Sequence, residues 1–150
     1  MARWLLVVAI RMRLSLIITT VALGLEVSLK IHAMDRWSAL SQIETRDNDR
    51  AIGAAGEISR YQMKPKLWQR YAPSDADWKN PTEALVAAKE LMKERCAHFE
   101  RCYHRQPTDF DFYILWNAPA QIVKPRKAVR ERAERFCRLV ILDDRRAKAD

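Results

Sequence analysis

Glycine is scarce in this chain, which has three glycines among its 150 residues. After residue 33 only Gly53 and Gly56 remain, and they lie close together. Glycine allows left-handed backbone and the close approach of a ligand. The pair therefore predicts a loop that shapes a site, although an ordinary turn would also explain it. The chain lacks a convincing strand pattern and internal repeats, which argues against β-rich and repeat architectures.

Cysteine is equally rare, and its three positions do not define a redox compartment. Cys96 and Cys102 fall in one predicted helix, about 9 Å apart at a rise of about 1.5 Å per residue, which is too far for a disulfide. Either could pair with Cys137 only if the fold brings the helices close, so we expect buried free thiols. Of the nearby histidines only His98 shares a helix face with Cys102, so no metal site and no cofactor is predicted.

Residues 1–33 have the pattern of a signal peptide. Two apolar stretches, 4–10 and 14–25, are divided by Arg11-Met12-Arg13. The second stretch fits a signal-peptide core but is too short to span a bilayer. Translation starting at Met12 is an alternative, as is an uncleaved anchor or a buried helix. We expect cleavage after residue 33, an exported mature protein in the periplasm, cell envelope or extracellular space, and no stable membrane span.

The remainder of the chain predicts one mainly helical domain over 34–142, followed by a charged tail over 143–150. Asn80-Pro81-Thr82-Glu83 combines an N-cap, a proline at the first helical position and an acid that can reach back, which is a strong helix start. The predicted helices cover about 34–46, 57–63, 80–105, 107–117 and 125–142.

The net charge of +8 suits an anionic partner such as a wall polymer, a nucleic acid or a membrane surface. Residues 1–33 carry +3 of it, which leaves +5 for the domain. The arginine-rich stretch over 124–138 keeps a basic nucleic-acid or membrane-surface binder open as an alternative. Such helix faces are usually only solvated, and no base-reading motif is present, so we expect no nucleic-acid partner.

Glu44 is the candidate catalytic residue. Trp37, Leu40 and Glu44 share one face of the first predicted helix, and that face is apolar. Burial disfavours a charged carboxylate and raises its pKa. A carboxyl group of this kind can protonate a glycosidic oxygen near neutral pH. A glutamate at the core boundary, paired with an arginine, would give the same periodicity.

The segment ALSQIETRDNDRAIGAAGEISRYQMKP over 39–65 resembles the catalytic region of the soluble lytic transglycosylase family, within the lysozyme-like superfamily. Aligned without gaps, Glu44-Thr45 falls on the family's catalytic Glu-Ser pair, and Gln62 falls on its motif glutamine. Asn48, Gly56 and Pro65 also match. Trp116-Asn117-Ala118-Pro119 is similar to the family's Tyr-Asn-Ala-Gly motif. The resemblance covers about 34–142 and implies a lysozyme-like helical domain around a substrate cleft.

The resemblance further implies cleavage of the bond between N-acetylmuramic acid and N-acetylglucosamine in peptidoglycan, with Glu44 as the single catalytic acid. The implied substrate-binding residues are Ser59, Tyr61, Gln62, Trp116 and Asn117. Glu57 or Asp49 would serve as a second carboxylate in a hydrolase.

Several positions depart from the family pattern. Arg46 stands where the family usually has glycine, Ser59-Arg60-Tyr61 replaces Gly-Leu-Met, and Trp116 replaces a tyrosine whose hydroxyl contacts the acid. These departures leave open the exact reaction, and a non-catalytic wall-binding protein of the same fold is the alternative.

Overall fold

The computed structural model describes residues 34–144, with side chains described over 34–140. Over this range the chain forms five α-helices and one short 3-10 helix, and no strand. The bounds are α1 Arg36–Thr45, α2 Pro65–Tyr71, α3 Pro81–Tyr103, α4 Asp109–Asn117, the 3-10 helix Pro119–Gln121 and α5 Lys127–Asp144. The mainly helical class is therefore confirmed. The predicted signal peptide lies outside the described residues, as does most of the charged tail.

Helix starts follow the local chemistry of the sequence. The Asn80 side chain accepts hydrogen bonds from the backbone N–H groups of Thr82 and Glu83, so the predicted N-cap of α3 is confirmed. Thr108 caps α4 in a capping box with Asp111, and Asp35 caps α1. Each cap satisfies backbone donors that a helix leaves unpaired at its first turn.

The segment 57–63 is not helical, contrary to the prediction. Ile58 forms isolated antiparallel bridges with Ile52 and Met63, and Ser59 and Gln62 have left-handed backbone conformations, with φ of 67° and 53°. Left-handed residues interrupt a right-handed helix. The segment is therefore a tight, folded loop between α1 and α2.

Helix α4 forms the centre of the core. Its residues from Asp111 to Trp116 are all buried, and it packs against α3 and α5. Phe112 and Phe136 stack with ring centroids 5.8 Å apart. A helix buried on all sides fixes the direction of every side chain along it. Phe112 of this helix also packs edge-on against Trp37 of α1, with ring centroids 5.4 Å apart.

None of the helices in the described part of the chain is long and apolar enough to cross a membrane.

Candidate active site

Glu44 lies in the last turn of α1, which ends at Thr45. Arg46 follows in a left-handed conformation with φ of 57°, and its N–H donates to backbone carbonyls of α1. This geometry is the one that favours glycine, the residue usual at this position in the resembled family. The chain turns away sharply here, so Glu44 stands at the end of the helix beside a cleft.

The Glu44 carboxyl is half-buried, and its Oε1 accepts a hydrogen bond from the Tyr113 hydroxyl at 2.9 Å. Burial raises the pKa of Glu44, and the charge of Glu57 raises it further. The Tyr113 bond and the charges of Arg132 and Arg135 oppose this rise, but the net direction is upward. Glu44 therefore keeps its proton to higher pH than an exposed glutamate does.

Tyr113 is a site residue that the sequence reasoning missed. Its side chain is fully buried, and burial together with the Glu44 charge raises its pKa, so its hydroxyl stays protonated and donates. The sequence resemblance places the family's tyrosine at Trp116, which lies one helical turn further along α4. A tyrosine at i−3 from that position was the signal that could have revealed it, since both share a helix face.

The cleft beside Glu44 has a volume of about 680 Å³. This is within the usual range for small-molecule sites, about 300–1,000 Å³. Its lining includes Glu44 and four of the other predicted site residues, namely Glu57, Gln62, Trp116 and Asn117. The structure thus brings three parts of the chain to one groove: the end of α1, the end of α4, and the loop that carries Gly53 and Gly56, called here the glycine loop.

Gly53 allows two side chains of the loop to pack closely against the backbone at one side of the cleft. A Cβ atom at this position would collide with Gln62 Oε1 and Glu57 Oε2. Glu57 Oε2 also accepts a hydrogen bond from the Ala55 N–H at 3.0 Å, and Gln62 Nε2 donates to the Ser59 carbonyl at 3.3 Å. Gly53 therefore leaves room for both side chains at this side of the cleft.

Three predicted residues are not among those that line the cleft. Ser59 is fully buried, and its hydroxyl accepts from the Tyr61 N–H at 3.3 Å. Tyr61 is 2% exposed and packs edge-on against Trp37 and Trp116. The side chains of Ser59 and Tyr61 therefore lie in the core, where they support the cleft wall. The sequence instead predicted that both would contact the substrate.

Asp49 is the third of these residues. Its Oδ1 lies 2.6 Å from Arg60 Nε in an ion pair outside the cleft lining. Of the two candidates for a second carboxylate, only Glu57 faces the same groove as Glu44.

Arg95, in α3, stabilises the end of α4. Its Nη1 donates to the carbonyl oxygens of Leu115 and Trp116 at 2.6 and 2.8 Å. These carbonyls belong to the last turn of α4, where backbone carbonyls have no hydrogen-bond donor within the helix. The contact holds Trp116 and Asn117 in place, and it was not foreseen from the sequence.

The cysteines are all free. Cys102 Sγ lies 3.6 Å from His98 Nε2, as their spacing on one helix predicted. Cys102 is exposed, however, which corrects the expectation that all three thiols are buried. Among residues 34–144 there is no group of three or more histidine, cysteine and acidic side chains able to hold a metal ion.

Comparisons with known proteins give no match: no family model matches the chain, and neither a curated protein nor a solved structure is significantly similar to it.

Proposed function

We propose that this protein is a peptidoglycan-cleaving glycosidase with a lysozyme-like architecture, acting as a lytic transglycosylase or a lysozyme. The observation that carries the proposal is the half-buried Glu44 carboxyl, which has a raised pKa, a buried tyrosine donor and a place at the edge of the cleft. General acid catalysis needs a carboxyl that is protonated near the working pH and open to the substrate.

In the proposed reaction Glu44 donates its proton to the oxygen that links N-acetylmuramic acid to N-acetylglucosamine, and the glycosidic bond breaks. The 2-acetamido oxygen of the muramoyl residue assists at the anomeric carbon, as in substrate-assisted glycosidases. The muramoyl 6-hydroxyl then attacks that carbon and gives up its proton to the Glu44 carboxylate. The product is a 1,6-anhydro sugar, and the enzyme returns to its starting state.

Hydrolysis is the alternative reaction at the same site, and the position of Glu57 supports it. Glu57 lines the cleft with Glu44 and is held by the Ala55 N–H. A carboxylate placed in this way can orient a water molecule towards the anomeric carbon. The product would then carry a free reducing end.

Asn117 and Gln62 are proposed to bind the amide and hydroxyl groups of the sugar, and Trp116 to contact its apolar face. Asn117 is exposed at the end of α4, whereas Gln62 is fixed by the loop. Polar side chains on rigid elements orient a ligand more precisely than mobile ones. Export to the periplasm, cell envelope or extracellular space, where the wall is found, is part of the proposal.

Mass spectrometry of purified peptidoglycan after digestion by the protein tests the proposal. We expect muropeptides that appear with the wild-type protein and whose rate of release falls by about 10²–10⁴-fold with Glu44→Gln. A product lighter by one water identifies the transglycosylase reaction, and a reducible end identifies hydrolysis. Intact peptidoglycan after prolonged incubation would refute the enzymatic function and favour a wall-binding protein of the same fold.

A further inference from the structure

The cleft carries more positive than negative side chains. Its cationic residues are Lys64, Lys66, Arg95 and Arg132, and its carboxylates are Glu44 and Glu57. Within residues 34–140, none of the four cations lies within 4.0 Å of a carboxylate oxygen. The cleft therefore has an excess of positive charge that an anionic ligand could neutralise.

Arg95 has the most confined of these charges. Its guanidinium is half-buried, and burial lowers its pKa. One of its nitrogens binds two carbonyl oxygens of α4, but a guanidinium has five N–H donors. A half-buried cation without an anionic partner is costly unless further acceptors reach it. Arg95 also lines a second cavity of about 380 Å³, so it lies at the border of the two spaces.

The other cations approach from separate elements. Lys66 lies in the first turn of α2, and Arg132 lies in α5 close enough to Glu44 and Tyr113 for its charge to lower the pKa of both groups. These charges come from α2, α3 and α5 and converge on one cleft. They therefore differ from a row of solvent-exposed basic side chains along a single helix. Convergence of this kind favours recognition of a specific anion.

We propose that the cleft is selective for glycan strands that carry carboxylate groups, and that Arg95, Arg132 and Lys66 bind those carboxylates. The inference rests on the proposed function and specifies its substrate. A muramoyl residue with an acidic peptide stem offers carboxylates beside the sugar ring. An uncharged N-acetylglucosamine oligomer would offer amides and hydroxyls to Gln62 and Asn117 but would leave the cations without an anionic partner.

Binding to the full-length Glu44→Gln variant tests the selectivity without turnover. Three probes are compared by calorimetry: an N-acetylglucosamine oligomer, a disaccharide-peptide fragment with free carboxylates, and the same fragment with its carboxylates methyl-esterified. We expect the acidic fragment to bind about tenfold more tightly than either neutral probe, since charge-assisted hydrogen bonds are roughly twice as strong as neutral ones. The preference should shrink between about 50 and 500 mM salt because exposed charges are screened.

Variants Lys66→Gln and Arg132→Gln, made in the same background, identify the residues involved. Both side chains are exposed, so we expect the fold to survive and the preference for the acidic fragment to fall roughly twofold to fivefold in each. Lys93→Gln is the matched control, because Lys93 is exposed on α3 outside the cleft lining and pairs with Glu90. Arg95 is left intact because its loss would also release the α4 carbonyls.

Equal affinity for acidic and esterified fragments would overturn the inference, as would an equal loss of preference in the Lys93 control. Displacement of the acidic fragment by a short oligonucleotide at the same concentration would also overturn it, since the cations would then bind polyanions in general. Selective binding together with a wild-type protein that cleaves nothing would refute the enzymatic function alone. The two proposals can therefore fail separately.

Discussion

The hydrogen bond from Tyr113 to Glu44 makes a prediction that depends on pH. Tyr113→Phe removes one hydroxyl and keeps the ring, which packs against Phe136 with centroids 5.6 Å apart. Once the pH exceeds the pKa of Glu44, the variant leaves a half-buried carboxylate without its donor. Because that bond lowers the pKa of Glu44, its loss should raise this pKa further.

The magnitude follows from the charge state of the acceptor. A hydrogen bond to a charged group contributes about 1.5–3 kcal/mol, whereas one between neutral groups contributes about 0.5–1.5 kcal/mol. The folded protein should therefore lose roughly 1.5–3 kcal/mol at pH 7.5 but only about 1 kcal/mol near pH 4.5, where Glu44 is more fully protonated. A raised pKa in the folded state means that stability falls as pH rises, so the variant should show the steeper fall.

Urea unfolding followed by circular dichroism at both pH values measures the effect. Tyr103→Phe is the matched control, because Tyr103 is 42% exposed and its ring stacks on Phe99. We expect little change in the control at either pH. The activity profile of Tyr113→Phe should extend to higher pH, since Glu44 would keep its proton longer. An equal loss of stability at the two pH values would refute the proposed link between the tyrosine and the ionised carboxylate.

Three further predictions concern Glu44 and its surroundings. Glu44→Gln should reduce peptidoglycan turnover by about 10²–10⁴-fold, because the proton donor is lost while side-chain size is kept. Glu57→Gln is its control in digestion assays, and equal inactivity of both variants with a reducing-end product would indicate a two-carboxylate hydrolase. Arg46→Gly should increase the free energy of unfolding by about 0.5–1 kcal/mol, since the left-handed conformation strains a residue with a Cβ atom. A lower urea midpoint would contradict this reading of the helix end. Gly53→Ala should raise KM, because the new methyl group would displace the side-chain oxygens of Gln62 and Glu57 from their positions in the loop. An unchanged KM would mean that these side chains do not position the substrate.

Features that depend on neighbouring residues could be predicted from the sequence. The start of α3 is an example, because the Asn80 side chain caps backbone groups only two and three positions away. Glu44 is another, because its periodicity with Trp37 and Leu40 places it at the edge of the apolar face. The position of Glu44 at a cleft with Gln62 and Asn117 agrees with the groove expected from the motif resemblance.

Features that depend on distant residues could not be predicted. The segment 57–63 resembled a helix because nothing local indicated that Ile58 pairs with Ile52 and Met63 or that Ser59 adopts a left-handed conformation. The sequence predicted that Tyr61 binds the substrate, because its position in the motif gives no information about its packing. In the structure it fills the space between Trp37 and Trp116.

The sequence by itself determined the helical class, the N-cap of α3, the place of Glu44 on the first helix and the loop with Gly53 and Gly56, because each depends on short-range backbone chemistry or on the spacing of apolar residues. Only the tertiary structure decided which groups meet that acid. Tyr113 is 69 positions away from Glu44 in the chain, and its hydroxyl reaches the carboxyl because α4 is buried against its neighbours. The charges of Arg95 and Arg132 converge on the cleft for the same reason: helix packing sets the distances between side chains that the linear order leaves open.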